Sequence, residues 1–202
     1  MKLLLLIAGI ASMRSAIERH DVDEAARQGT LAGPAIVGRA LASRDRTAQL
    51  AGIVAAPRVE DRAELLPALA TLAAGPDRRA AIPAARAAVA IARELAHHEL
   101  PDDLVAEDLA TWHDAWIALA ARSDRWIELR VLALDVAAAL GDIPLSSDPD
   151  PALRIASIEL QPSPLAATVR DQLAAIVAKD TDDRVARAAA KVLCTEGASP
   201  CK

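Results

Sequence analysis

Apolar residues recur at three- and four-residue spacing along most of this 202-residue chain, which is the period of a helix face. No stretch combines β-branched enrichment with strict alternation, so the pattern predicts an all-α protein. Asp, Ser, Gly and Pro punctuate the periodic segments and set their limits. Short helical pieces are predicted over 15–28, broken at His20–Asp23 and ended by Gly29. A helix then runs from Pro34 to about Ala42, and another from Arg46 to Ala55, capped through Ser43–Asp45 and stopped by Pro57. The pattern continues with helices over 61–73, from an Asp77 cap to His97, over 104–121, and over 125–140 behind a Ser123–Asp124 cap. The last three span 151–160, 165–178 and 182–193. Pro67 and Pro83 fall inside periodic segments, where each predicts a kink or a first turn, because proline removes a backbone donor.

One element occurs twice, 32 residues apart: Asp148–Leu160 and Asp180–Val192 both read Asp-x-Asp-x-x-apolar-x-x-Ala-x-x-x-apolar. Asp45, Ala48, Ala51 and Ala55 repeat the spacing more weakly. Self-similarity at this period is the signature of stacked helix pairs. With proline inside the first helix of a pair, the Asp-led pattern over 34–193 resembles the HEAT-repeat family. That resemblance implies an α-solenoid, a superhelix of antiparallel helix pairs presenting a face to another protein. The deoxyhypusine hydroxylases, which look like this fold, bind iron through several His-Glu pairs, whereas this chain has His98-Glu99 alone.

Composition sharpens the packing problem. Phe and Tyr are absent, Trp occurs three times, and Ala makes up roughly a quarter of the chain. Ala favours helices and lets their axes approach closely, so an Ala–Leu core needs no rings. The net charge of −5 and the lack of a basic run argue against a nucleic-acid partner. Met1-Lys2, the aliphatic run Leu3–Ile7 and the small residues Gly9 and Ala11 have the layout of an export signal over 1–11. The run is too short to span a bilayer, so no stable membrane insertion of the mature chain is expected. Residues 12–202 are then one helical domain in the periplasm or outside the cell. The alternative is that the segment is a first buried helix in a cytoplasmic protein.

Candidate chemistry is sparse. Cys194 and Cys201 are expected to pair if the chain is exported, and to be free thiols otherwise. His97, His98 and Glu99, with Asp102, Asp103, His113 and Asp114, hold the richest set of metal-ligand types. The two adjacent histidines diverge by about 100° around a helix, so helix-end placement explains them better than a metal does. Asp148, Asp150, Asp180 and Asp182 read as helix caps and lack the glycine and distal Glu of a calcium loop. No Gly-x-Ser-x-Gly element occurs. Trp112, Trp116 and Trp126 fall together on one predicted hairpin, either filling the space Ala leaves or anchoring a partner. These readings lead to a non-catalytic interaction or scaffold module with no metal or cofactor and a protein partner. An accessory protein that regulates an enzyme or binds a small cofactor through a groove is the alternative.

Overall fold

In a computed structural model of the chain, residues 2–97 and 106–197 are described, 2–7 of them as backbone alone. The described residues are helical throughout their regular structure and contain no strand. The helices are α1 (Lys2–Glu18), α2 (Val22–Ala32), α3 (Pro34–Leu41), α4 (Arg46–Ala55), α5 (Leu66–Ala73) and α6 (Arg78–His97). They continue with α7 (Ala106–Ala120), α8 (Ile127–Leu140), α9 (Pro151–Glu159), α10 (Ala167–Lys179) and α11 (Asp183–Thr195).

Aspartates start most of the helices that have a side-chain cap. Asp45 accepts from the backbone N–H of Thr47 at 2.8 Å and Ala48 at 3.2 Å. Asp77 takes the Arg79 N–H, Asp150 that of Ala152, and Asp182 that of Arg184. Each satisfies a donor that the helix itself leaves open. Pro151 stands in the first turn of α9, where a missing N–H costs nothing. Pro67 likewise falls in the first turn of α5, because the 61–73 segment divides into a 3-10 turn at Arg62–Leu65 and a separate helix. Pro83 lies inside α6.

Three expectations at helix ends need correction. Gly29 does not end α2, which runs on to Ala32 with Gly29 buried inside it. A Cβ built on Gly29 would stand 2.2 Å from the Ala55 Cβ, so the glycine is there to let α2 meet α4. Ser123 and Asp124 do not cap α8, whose N-cap is Trp126 with no side-chain bond; Asp124 instead pairs with Arg122 at 2.8 Å. Finally, the helical piece expected from residue 15 is the end of a longer helix, α1, with Met13 and Ala16 fully enclosed.

The core is one large cluster and one small one. The large cluster runs from Met13 on α1 to Ala156 on α9. Its centre is α6, which packs on α4, α5 and α8 and buries Ala80, Ala81, Ala84, Ala85, Ala87, Ala88 and Ala92 beside Ile82 and Ile91. Ala on that scale works only if the neighbouring backbones come close. The small cluster gathers Ile158, Leu165, Leu173, Val185, Ala188, Ala189 and Leu193 between α9, α10 and α11.

The close approach gives a paired test. Gly29→Ala is expected to destabilise the protein by about 1–3 kcal/mol through overpacking, despite Ala's better helix propensity. Gly38→Ala on α3, where the added Cβ would meet Leu65 at an ordinary 3.6 Å, is expected to be neutral or to stabilise by up to about 1 kcal/mol. Urea denaturation of both variants checks the contrast.

Candidate functional site

The two copies of the Asp-x-Asp element are joined by arginines. In each copy the second Asp is the helix cap and the first does something else. Asp148 accepts the backbone N–H of Asp150 at 2.9 Å, and Asp180 that of Asp182 at 2.9 Å, each forming a tight turn before the cap. Arg130, four positions past the N-cap of α8, binds Asp148. Arg154, four positions past the N-cap of α9, binds Asp180 through Nε and Nη2, both at 3.1 Å. An arginine in the first turns of a helix thus twice binds the Asp two residues before a later cap, that of the following helix for Arg130 and that of α11, beyond α10, for Arg154.

Arg130 is 5% exposed, and its Nε also donates to the Ala120 carbonyl at the end of α7 at 2.8 Å. Arg154 spends Nη1 on the carbonyls of Asp148 and Pro149. Ser157, fully buried on α9, accepts the Ser146 N–H at 2.9 Å, and Gln161 donates to the Ile143 carbonyl. These bonds hold the segment between α8 and α9 against the α9 helix without regular structure of its own.

Between this segment and α10 lies an open groove of about 600 Å³. Leu145, Ala175 and Ile176 give it an aliphatic side, and Ser147, Gln172 and Thr181 supply hydrogen-bonding groups. Arg130 holds the Asp148 carboxyl below the usual carboxylate range. The Asp182 backbone N–H, then Arg154, do the same for Asp180. Both carboxylates therefore stay ionised near neutral pH and have no proton to give. Lys179 on the groove wall has no hydrogen-bond or ion-pair partner among the described residues. The groove can hold an extended chain and a carboxylate.

The residues singled out from the sequence lie elsewhere. Trp116 is wholly enclosed in the core and cannot anchor a partner. Trp112 and Trp126 are half-buried against the same core, with the Arg78 guanidinium 6.0 Å from the Trp126 ring centroid. Trp116 is thus core, and Trp112 and Trp126 stand at its edge. His97 is exposed at the end of α6, while His98, Glu99, Asp102 and Asp103 lie outside the described residues. His113 is a staple: its Nε2 is 2.9 Å from the Asp142 carbonyl, and its ring packs on Gly141 at the end of α8. No group of three or more metal-ligand residues gathers among the described residues. Cys194 stands in the last turn of α11, and its proposed partner Cys201 lies outside the described residues.

Sequence reasoning missed Arg130, Arg154 and Lys179. The signal was present for Arg154, four residues after the Asp150 cap, but not for Arg130, because Trp126 does not read as a cap. Comparisons with protein-family models, with curated proteins and with solved structures return no match.

Arg130→Met is expected to cost about 3 kcal/mol, because it strands the largely buried Asp148 carboxylate and the Ala120 carbonyl. Asp148 titrates below its ordinary range when folded, so the unfolded chain binds more protons near pH 4. Its contribution is therefore complete above about pH 5 and fades as pH falls below about 4. Urea titrations should show the gap between the native chain and Asp148→Asn to be wide at neutral pH and narrow in acid.

Proposed function

We propose that this chain is a HEAT-like helical-repeat module that binds a protein partner through the groove between the 145–149 segment and α10. The observation that carries the reading is the pair of Arg–Asp ties, from α8 to the turn before α9 and from α9 to the turn before α11. A repeated junction of that kind is what a stacked-helix architecture needs between neighbours. The partner segment that fits is extended, with an aliphatic side chain for the Leu145–Ile176 side and a carboxylate for Lys179. The groove's ionised, paired aspartates support binding rather than proton transfer.

A second reading concerns location. The layout of residues 1–11 favours export, and the packing of α1 favours keeping them. Gly9 fits so closely that a Cβ there would stand 3.3 Å from Ala32 and from Ile36. Ile10 packs on the core. We infer that the segment stays with the folded chain as its first helix. Intact-mass measurement of the chain from its native host decides between them: loss of 1–11 overturns retention.

The groove is tested by placing a photo-cross-linking residue at Gln172, and as a control at Arg187, which lies outside it. A discrete adduct is expected from position 172 alone, weakened several-fold by Lys179→Glu as its rim charge reverses. Equal labelling from both positions, or no change with Lys179→Glu, removes the groove from the reading.

A further inference from the structure

Residues 142–148 contain no helix, turn or bend, so the chain runs extended along one wall of the groove. Successive peptide groups of an extended chain point to opposite edges. The edge set by residues 146 and 148 faces α9. There the Ser146 N–H donates to the Ser157 hydroxyl at 2.9 Å, and the Asp148 carbonyl accepts from Arg154 Nη1 at 2.8 Å. The opposite edge carries the N–H and C=O of Leu145 and of Ser147. None of these groups has a hydrogen-bond partner among the described residues. The open edge is bounded on both sides. Before it, Pro144 has no N–H and the Ile143 carbonyl is taken by Gln161. After it, Pro149 has no N–H and its carbonyl accepts from Arg154.

The successive residues 145–149 all line the groove. Side chains of an extended chain alternate between two faces, so a consecutive run meets the groove partly through its main chain. The facing wall is a helix stripe, with Gln172, Ala175, Ile176 and Lys179 at i, i+3, i+4 and i+7 of α10. That stripe is about 10 Å long, and three extended residues cover the same length.

Charge and tethering select the occupant. Asp148 and Asp180 on the lining are paired with Arg130 and Arg154, so Lys179 is the one uncompensated charge among the described lining residues. A second copy's own 145–149 segment is tied to α9 along its other edge. It would bring that helix with it into a space that α10 already bounds. A separate peptide carries no such burden.

We infer that the partner binds as an added β-strand. An extended peptide lies between residues 145–147 and α10, exchanging main-chain hydrogen bonds with Leu145 and Ser147. Its alternate side chains, an aliphatic residue and an Asp or Glu two positions on, meet Ile176 and Lys179. The inference rests on the groove reading and adds how the partner is held: the main chain supplies affinity and two side chains supply selection.

The test is fluorescence anisotropy of the full chain with a dye-labelled, end-blocked peptide, Thr-Val-Thr-Val-Thr-Asp. Saturable binding is expected, weakened several-fold by Lys179→Glu. Two analogues carry N-methyl groups, one on both valines and the other on the last two threonines. A strand pairs through alternate residues, so one analogue should lose binding about twentyfold and the other no more than about twofold. Ser147→Pro removes an edge donor that no internal bond uses, and should weaken the peptide about fivefold. Ser147→Ala, which keeps that donor, should cost less. Circular dichroism checks that both variants fold; if Ser147→Pro does not, the N-methyl pair decides on the native chain. Absent binding, equal loss from the two analogues, or equal loss from Ser147→Pro and Ser147→Ala overturns the inference. So does a dimer in light scattering that Ser147→Pro dissociates, since that assigns the edge to a second copy. A partner adduct from position 172 that Lys179→Glu weakens and Ser147→Pro does not removes the strand pairing and leaves the groove reading standing.

Discussion

A core without Phe or Tyr can be dense only where helix axes come close, and this limit shapes most of the molecule. Alanine contributes a single methyl group, so the space between two helices must shrink to match it. The buried face of α6 is seven alanines and two isoleucines. Where even Ala is too large, glycine takes its place, as at Gly29 against Ala55 and at Gly52, where a Cβ would stand 3.0 Å from the Leu41 backbone nitrogen. Trp116 serves the opposite need. On α7 it places a ring, fully enclosed, in the core.

Close packing of short helices brings many helix ends near the interior, and their carbonyls need donors. Arginine supplies them. Arg125 donates to the carbonyls of Ala74 and Gly75 at the end of α5, at 2.7 and 3.2 Å. Arg130 does the same at the end of α7 while holding Asp148, and Arg154 ties the turn before α9 to Asp180. A guanidinium suits this role because it presents five donors in a fixed plane and stays charged. Such buried pairs add little net stability over an apolar replacement, and what they add is register. Arg130 links the large core cluster to the turn before α9, and Arg154 carries the link on to the turn before α11, within reach of the small cluster.

Elements that follow from local chemistry were legible in the sequence. The Asp caps at 45, 77, 150 and 182 and the helices behind them fall where the pattern put them, since capping involves only residues two or three apart. Errors arose where one residue type serves two purposes. Glycine ends helices and also admits a neighbouring helix, and nothing near Gly29 says that Ala55 lies opposite. Asp124 precedes a helix like a cap but binds Arg122. In the Asp-x-Asp heads, both aspartates read as caps, yet only the second is one. The first is defined by an arginine 18 or 26 residues away. The groove was not legible for the same reason: Leu145, Ile176 and Lys179 become neighbours only after α9 and α10 have packed.

Irregularity in the sequence pattern does not mark where the fold leaves an open groove. The departure from the pattern over 106–126 coincides with Trp116 buried in the core and Trp112 and Trp126 packed against it. The groove lies instead between the two clearest copies. The reason is the thin burial of α10, which encloses Leu173 fully and leaves most of its other residues at the surface. A helix held by one buried leucine and a few partly buried neighbours packs on α11 without closing against the 145–149 segment. The Arg154–Asp180 pair holds that separation open, since it spans the end of the gap with two charged groups that neither helix can bury alone. One lightly anchored helix thus leaves a cleft, and Arg154, paired with Asp180, bridges its end.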